Sequence, residues 1–117
     1  MTRLFIETKE FTKQCEELGI EDEVLRLLEI DIMRNPDKYP VIPGTGGLRK
    51  ARISIDNRGK SAGARVCFVE FVVLEIVYFI TVYGKKEKDN LAKKELNAIK
   101  KAIVELERNL GGERDGK

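Results

Sequence analysis

The sequence predicts an α+β domain in the order β-α-α-β-β-β-α, on three observations. Two segments of helical period follow one short strand near the N-terminus, three strand-like segments then run consecutively over residues 48–84, and a last long helical period closes the chain. Elements segregated in this way imply one small, mostly antiparallel sheet with the helices packed on one face. The 117 residues suit a single domain, expected over residues 1–110, with residues 111–117 as a disordered tail.

RLFIET reads as a short strand opening the sheet. Over residues 8–18, Phe11, Cys15 and Leu18 recur at spacings of four and three, the mark of a one-sided helix. Gly19 stands where a helix C-cap needs a residue free to take positive φ. The next helix begins with Glu21, Asp22 and Glu23, acids favoured at the positive end of the helix dipole, and buries Val24, Leu25, Leu28 and Ile32. Pro36 stops it by disfavouring the helical conformation at Asn35. VIPGTGG is a loop whose glycines let backbone lie close to another element. In LRKARISI a period of two puts Ala51, Ile53 and Ile55 on one face, with Lys50, Arg52 and Ser54 on the other. DNRGKSAG is a turn or short loop. ARVCFVEFVV and IVYFITVYG are two further strands that reverse near residues 74–76. The last helix is expected from about Glu87 to Leu110, with Leu91, Leu96, Ile99, Ala102, Ile103, Leu106 and Leu110 along its stripe.

Several function classes are excluded by composition. The chain has no histidine, which removes a histidine general base, a histidine-containing zinc site and Ser-His-Asp catalysis. Two isolated cysteines make no structural zinc site, and no cofactor or metal is expected. Cys15 and Cys67 lie in apolar settings and read as packed thiols in a reducing compartment, a disulfide between them being the alternative. GTGG lacks the GK[ST] ending of a phosphate loop and precedes a strand. The apolar stretch over residues 66–83 is interrupted by Glu70 and Glu75 and is rich in β-branched and aromatic residues, so two strands are expected there and no membrane helix. MTRLFIETKEF meets acids before any long apolar run, so no secretory leader is expected and the chain reads as cytoplasmic.

The formal net charge of +2 conceals segregation. Residues 7–31 carry nine acids against three bases, net −6; residues 44–65 carry six bases against one acid, net +5; residues 85–101 carry seven lysines against three acids, net +4. Lys50 and Arg52 share a strand face about 6.6 Å apart at the usual rise. Arg65 begins the next strand, and Lys85 and Lys86 end the last one. Arg49, Arg58 and Lys60 complete the set. Like charges on adjacent strands repel, a cost that an anionic ligand would offset. Such a cluster can hold a phosphodiester backbone and neutralise charge developing on phosphoryl oxygens. Arg49, Arg58, Lys60 and Lys85 are therefore expected to contact nucleic acid.

VIPGTGGLRKARI, then GKSAGARV, then an aromatic strand ending VYGKKEKDNLAKKE, together resemble the RelE/HigB-type toxins of bacterial type II toxin–antitoxin modules. The resemblance is closest to the HigB-like, phage-related branch of the RelE/ParE superfamily and covers essentially the whole chain. It implies a RelE/ParE-like, microbial-ribonuclease-like sheet and an mRNA interferase acting in the ribosomal A site. There the substrate ribose 2′-hydroxyl attacks the adjacent phosphate and the 5′-oxygen leaves, without a metal. A cognate antitoxin of helix-turn-helix type and the ribosome are the implied partners. Carried over by position, Lys50, Arg52, Arg65 and Lys86 are the catalytic residues: Lys50 and Arg52 face the scissile phosphate, Arg65 stabilises the transition state, and Lys86 adds a further cation. Lys50 and Arg65 are both expected to be exposed. KDNLAKKE departs from relatives that place a tyrosine or histidine there, which leaves the general base unassigned. Tyr83 is either a replacement that meets nucleic acid or a core tyrosine with its hydroxyl at the rim. A ParE-like toxin that inhibits gyrase and an inactive phage-derived nucleic-acid-binding remnant are the competing readings.

Overall fold

The computed structural model describes residues 3–55, 63–88 and 90–115, the last five as backbone alone. Strand β1 (Leu4–Glu7) leads into α1 (Lys9–Leu18) and α2 (Asp22–Arg34), a 3₁₀ turn at Pro36–Lys38, β2 (Leu48–Ser54), β3 (Gly63–Phe71), β4 (Ile76–Gly84) and α3 (Lys93–Asp115). The expected order is the observed one. Thr8 caps α1: its hydroxyl accepts the Phe11 N–H at 3.1 Å and donates to the Ile80 carbonyl at 2.9 Å, tying the helix start to the sheet. Gly19 ends α1 in the left-handed region at φ 74°, as its place in the sequence predicts.

The four strands lie in the order β1-β4-β3-β2, with β1 parallel to β4 and the other two pairings antiparallel. Strand β3 is buried on both faces. Ala64, Val66 and Phe68 pack with Phe11, Leu25, Leu28 and Ile32 of α1 and α2. Cys67, Val69 and Phe71 pack instead with Ile103 and its neighbours Leu96, Ile99 and Leu106 on α3. The expectation of helices on one face thus holds for α1 and α2, while α3 covers the opposite face. The physical reason is the apolar run Val66–Val69 of β3, which presents apolar side chains on two faces and needs cover on each. Phe79 centres the α1/α2 side, stacking on Phe5 and Phe11 with centroids at 5.8 and 5.1 Å and meeting Phe68 edge-on at 6.3 Å. Glu70, the charge that interrupts β3, is buried in an ion pair with Arg3 at 2.8 Å.

The β3–β4 ladder carries one irregularity. Cys67 pairs with Thr81 and Phe68 with Phe79, so Ile80 is an extra residue in β4. This bulge shifts the in–out alternation by one, turning Val82 toward the α1 side and Tyr83 toward the α3 side. Gln14 of α1 satisfies the polar groups around the bulge: its side-chain oxygen accepts both the Thr81 hydroxyl and the Val82 N–H at 2.9 Å.

Helix α3 starts later than expected, at Lys93 instead of near Glu87. Glu87 turns its carboxylate back to accept the Gly84 N–H at 2.8 Å, and Glu95 does the same for the Ala92 N–H at 2.8 Å, so residues 85–92 form a connection. The second contact is half of a capping box and sets where the helix begins. The helical backbone continues to Asp115, beyond the Leu110 at which the apolar stripe ends. In the β2 approach, Gly46, at φ 79°, brings the VIPGTGG loop against Lys100 and Ile103 of α3. Thr45 braces that loop, donating to the Ile42 carbonyl at 2.6 Å and accepting the Leu48 N–H at 3.0 Å.

Replacing Gln14 by Ala should strand the Val82 N–H and cost about 1–3 kcal/mol in denaturant unfolding. Asp31 should govern part of the acid limb of stability. Its carboxylate accepts from the Tyr39 hydroxyl, Lys38 Nζ and Asn35 Nδ2, bonds that hold it below the usual carboxylate range. A depressed folded value contributes stability that is complete above the unfolded value of about 4 and is lost as pH falls through the folded one. Asp31→Asn should therefore be least stable relative to the parent near neutrality, with the difference closing in acid.

Candidate nucleic-acid site

The register of β2, β3 and β4 places Arg52 opposite Arg65 and Arg65 opposite Tyr83, a row across three strands on the face that α3 only partly covers. The adjacent row runs Lys50, Cys67, Thr81. Directly opposed residues in an antiparallel pair have Cβ atoms about 4.5–5.5 Å apart, so the Arg52–Arg65 pairing starts two cationic side chains from neighbouring points of the sheet. Arg65 is 7% exposed, contrary to the expectation of an open side chain, because it sits on the central strand between two large neighbours. Among the described residues, its guanidinium has no hydrogen-bond or ion-pair partner. Lys50 is half-buried and donates to a neutral acceptor, Asn90 Oδ1, at 2.9 Å.

Tyr83, 4% exposed, belongs to the core cluster under α3, and the Lys88 ammonium lies 5.6 Å from its ring centroid. Lys88 in turn pairs with Glu95 at 2.6 Å. That bond, and then the Ala92 N–H, keep the Glu95 carboxyl below its ordinary range. A cleft of about 200 Å³ opens beside this group, between Gln14, Thr81, Tyr83, Lys88 and Glu95.

Not every candidate gathers here. Arg49 pairs with Phe68 and shares its side of the sheet, where its guanidinium donates to the Tyr39 carbonyl. It anchors β2 to the end of the 3₁₀ turn and stands on the face opposite Lys50 and Arg52. Lys85 and Lys86 are exposed in the turn after β4, the Lys85 N–H donating to the Gly63 carbonyl at 2.9 Å. Arg58 and Lys60 lie outside the described residues. Three residues of this region, Lys88, Asn90 and Glu95, do not stand out in the sequence as site residues. The signal for Glu95 is its place three residues after Ala92, a capping spacing that also marks the true helix start; nothing local announces a bond between Lys50 and Asn90.

The two rows gather two guanidiniums and the Lys50 ammonium, beside a Lys88 ammonium already paired with Glu95 and the buried Tyr83 phenol. Cations placed in this way can bind a polyanion and can stabilise charge on phosphoryl oxygens. Among the described residues, no group of three or more His, Cys, Asp or Glu could hold a metal ion, and no helix is long and apolar enough to cross a membrane. Residues 2–109 match the family model of the RelE toxin of the RelE/RelB toxin–antitoxin system. The chain belongs to the RelE family. Among solved structures, a mutant of the E. coli toxin RelE in the free state is similar at a TM-score of 0.57 and 13% identity, over 89% of this chain and 99% of that one. The archaeal RelE–RelB complex from Pyrococcus horikoshii OT3 matches at a TM-score of 0.47 and 14% identity, over 75% of this chain and 100% of that one. The RelE fold, at such identity, is what the E. coli likeness shows.

Both thiols of this RelE-family chain are inert by environment. Burial pushes Cys15 up to about 12, helped by Glu7, Asp22 and Glu16, and burial pushes Cys67 up to about 12 against the pull of Lys50. Since the thiolate is the reactive form, the folded protein should leave Ellman's reagent unconsumed at pH 8, and two thiols should react only on unfolding.

Proposed function

We propose that the chain is the toxin of a toxin–antitoxin pair and cleaves messenger RNA on the ribosome. In this reading the substrate 2′-oxygen forms a bond to the adjacent phosphorus while the bond to the 5′-oxygen breaks. The products are a 2′,3′-cyclic phosphate and a 5′-hydroxyl; the proton lost from the 2′-hydroxyl is balanced by the one gained by the leaving oxygen. Lys50, Arg52 and Arg65 contact the phosphate and carry the charge that builds on its free oxygens. Lys86 adds a further cation near the phosphate, Lys85 holds the flanking backbone, and the ribosome positions the reactive conformer. A cognate antitoxin, of helix-turn-helix type, keeps the toxin silent.

A single observation supports this most: Arg65, more than nine-tenths buried and set opposite Arg52, has no partner among the described residues. No buried side-chain nitrogen is left unsatisfied among the described residues, so the Arg65 guanidinium keeps contact with solvent, where a phosphate supplied by substrate would meet it and offset the repulsion between Arg52 and Arg65. The family membership supports the toxin role independently.

Expressing the chain in cells and mapping messenger ends tests the reading. Cleavage between codon positions is expected, falling on the order of a hundredfold or more in Lys50→Ala and in Arg65→Met, the latter chosen to keep a buried apolar stem. Melting temperature should stay within a few degrees for Lys50→Ala. Intact messenger together with induced DNA damage would favour a gyrase-directed toxin, and harmless expression without any antitoxin would favour an inactive remnant.

A further inference from the structure

We infer that Asn90 is a positioning residue for Lys50, holding its ammonium at the point where the scissile phosphate is met; the inference rests on the ribonuclease function proposed for this site. A free lysine samples many rotamers and has to be ordered at each encounter with substrate, whereas a tethered one is ordered beforehand. Here the tether is long-range. Lys50 stands on β2 and Asn90 follows β4, with β3 and its Arg65 between those strands, so the 2.9 Å bond reaches across the Arg65 strand.

The chemistry of the acceptor carries the argument. An amide oxygen occupies one of the three N–H donors of an ammonium and leaves its charge intact, with two donors still free for phosphate oxygens. A carboxylate would hold Lys50 as firmly and cancel its charge. The molecule does use a carboxylate for the neighbouring cation, since Lys88 is paired with Glu95 at 2.6 Å. Beside Lys50, by contrast, the opposing residue is Cys67, a buried neutral thiol, and the flanking residues on the same strand face are Leu48 and Arg52. No described carboxylate pairs with Lys50. Lys50 is thereby fixed without being neutralised, which is what charge stabilisation at a phosphate asks of it.

Single-turnover cleavage of messenger on programmed ribosomes tests this, using Asn90→Ala, Asn90→Gln, Asn90→Asp, Lys50→Ala and the Lys50→Ala/Asn90→Ala double variant. The same set is then measured for affinity to a noncleavable 2′-O-methyl RNA across a salt series. Asn90→Ala should slow cleavage by about tenfold to a hundredfold with melting temperature unchanged. It should have no further effect on rate or affinity in the Lys50→Ala background, because the residue acts through Lys50 alone. Asn90→Gln, which keeps the amide, should recover part of the rate. Asn90→Asp should lower the salt slope of RNA binding by about one, the signature of one cation neutralised. A wild-type rate in Asn90→Ala, or an equal slowing with and without Lys50, overturns the inference. A wild-type rate in Lys50→Ala overturns the ribonuclease assignment of Lys50 and this inference with it, whereas a silent Asn90→Ala beside a dead Lys50→Ala overturns this inference alone.

Discussion

Strand β3 has to serve two hydrophobic cores and also carry Arg65. Its alternating side chains feed the α1/α2 core through Ala64, Val66 and Phe68, and the α3 core through Cys67, Val69 and Phe71. A strand covered on both faces loses solvent over most of its length, and Arg65 stands just where the α3 cover ends. Its backbone position is consequently fixed by packing that has nothing to do with charge. The strand beneath it cannot shift without disturbing both cores, so the point from which the cation reaches out is fixed. This coupling is why the site can be placed by a sheet at all.

The bulge at Ile80 adds the second constraint. In an unbroken register Val82 would stand opposite Arg65 and Tyr83 would enter the α1 core. The extra residue reverses both, giving Val82 to that core and Tyr83 to the row containing Arg52 and Arg65. Bulges leave backbone polar groups unpaired, and Gln14 accepts the Val82 N–H that this one frees. Gln14 of α1 therefore supports the bulge that brings Tyr83, in place of Val82, to the cationic face.

The strands were legible because their signals are local. β4 spans Ile76–Gly84, the segment that aromatic and β-branched content marks out, and Gly19 ends α1 at the place its sequence position implies. The placement of α3 was also legible in principle: VCFV on β3 does not alternate, and a strand without alternation announces cover on both faces. Arg49 could have been set apart by the same logic, since a period of two puts it with Ala51 and Ile53 and away from Lys50. The later start of α3 was harder to read, because it depends on Glu87 and Glu95 reaching back to Gly84 and Ala92, which competes with a continuous helical pattern. The Lys50–Asn90 bond was beyond reach. It joins residues 40 apart whose proximity exists only once the sheet order and the β4–α3 connection are both in place.

Charge segregation acquires a geometric meaning from the fold. The acidic segment that includes α1 and α2 packs on one side of the sheet, and Lys50, Arg52 and Arg65 stand on the other. Low-dielectric core lies between them, so the acids offset the net charge of the chain without pairing with the cations that line the row. Had the same acids lain on the α3 side, salt bridges would have formed and the cationic face would be neutral. The fold instead accepts the repulsion of Arg52 beside Arg65, a local cost to stability at a place where every simple remedy would remove the positive field. Unfavourable local arrangements of this kind cluster at functional sites, which is what makes this row the candidate.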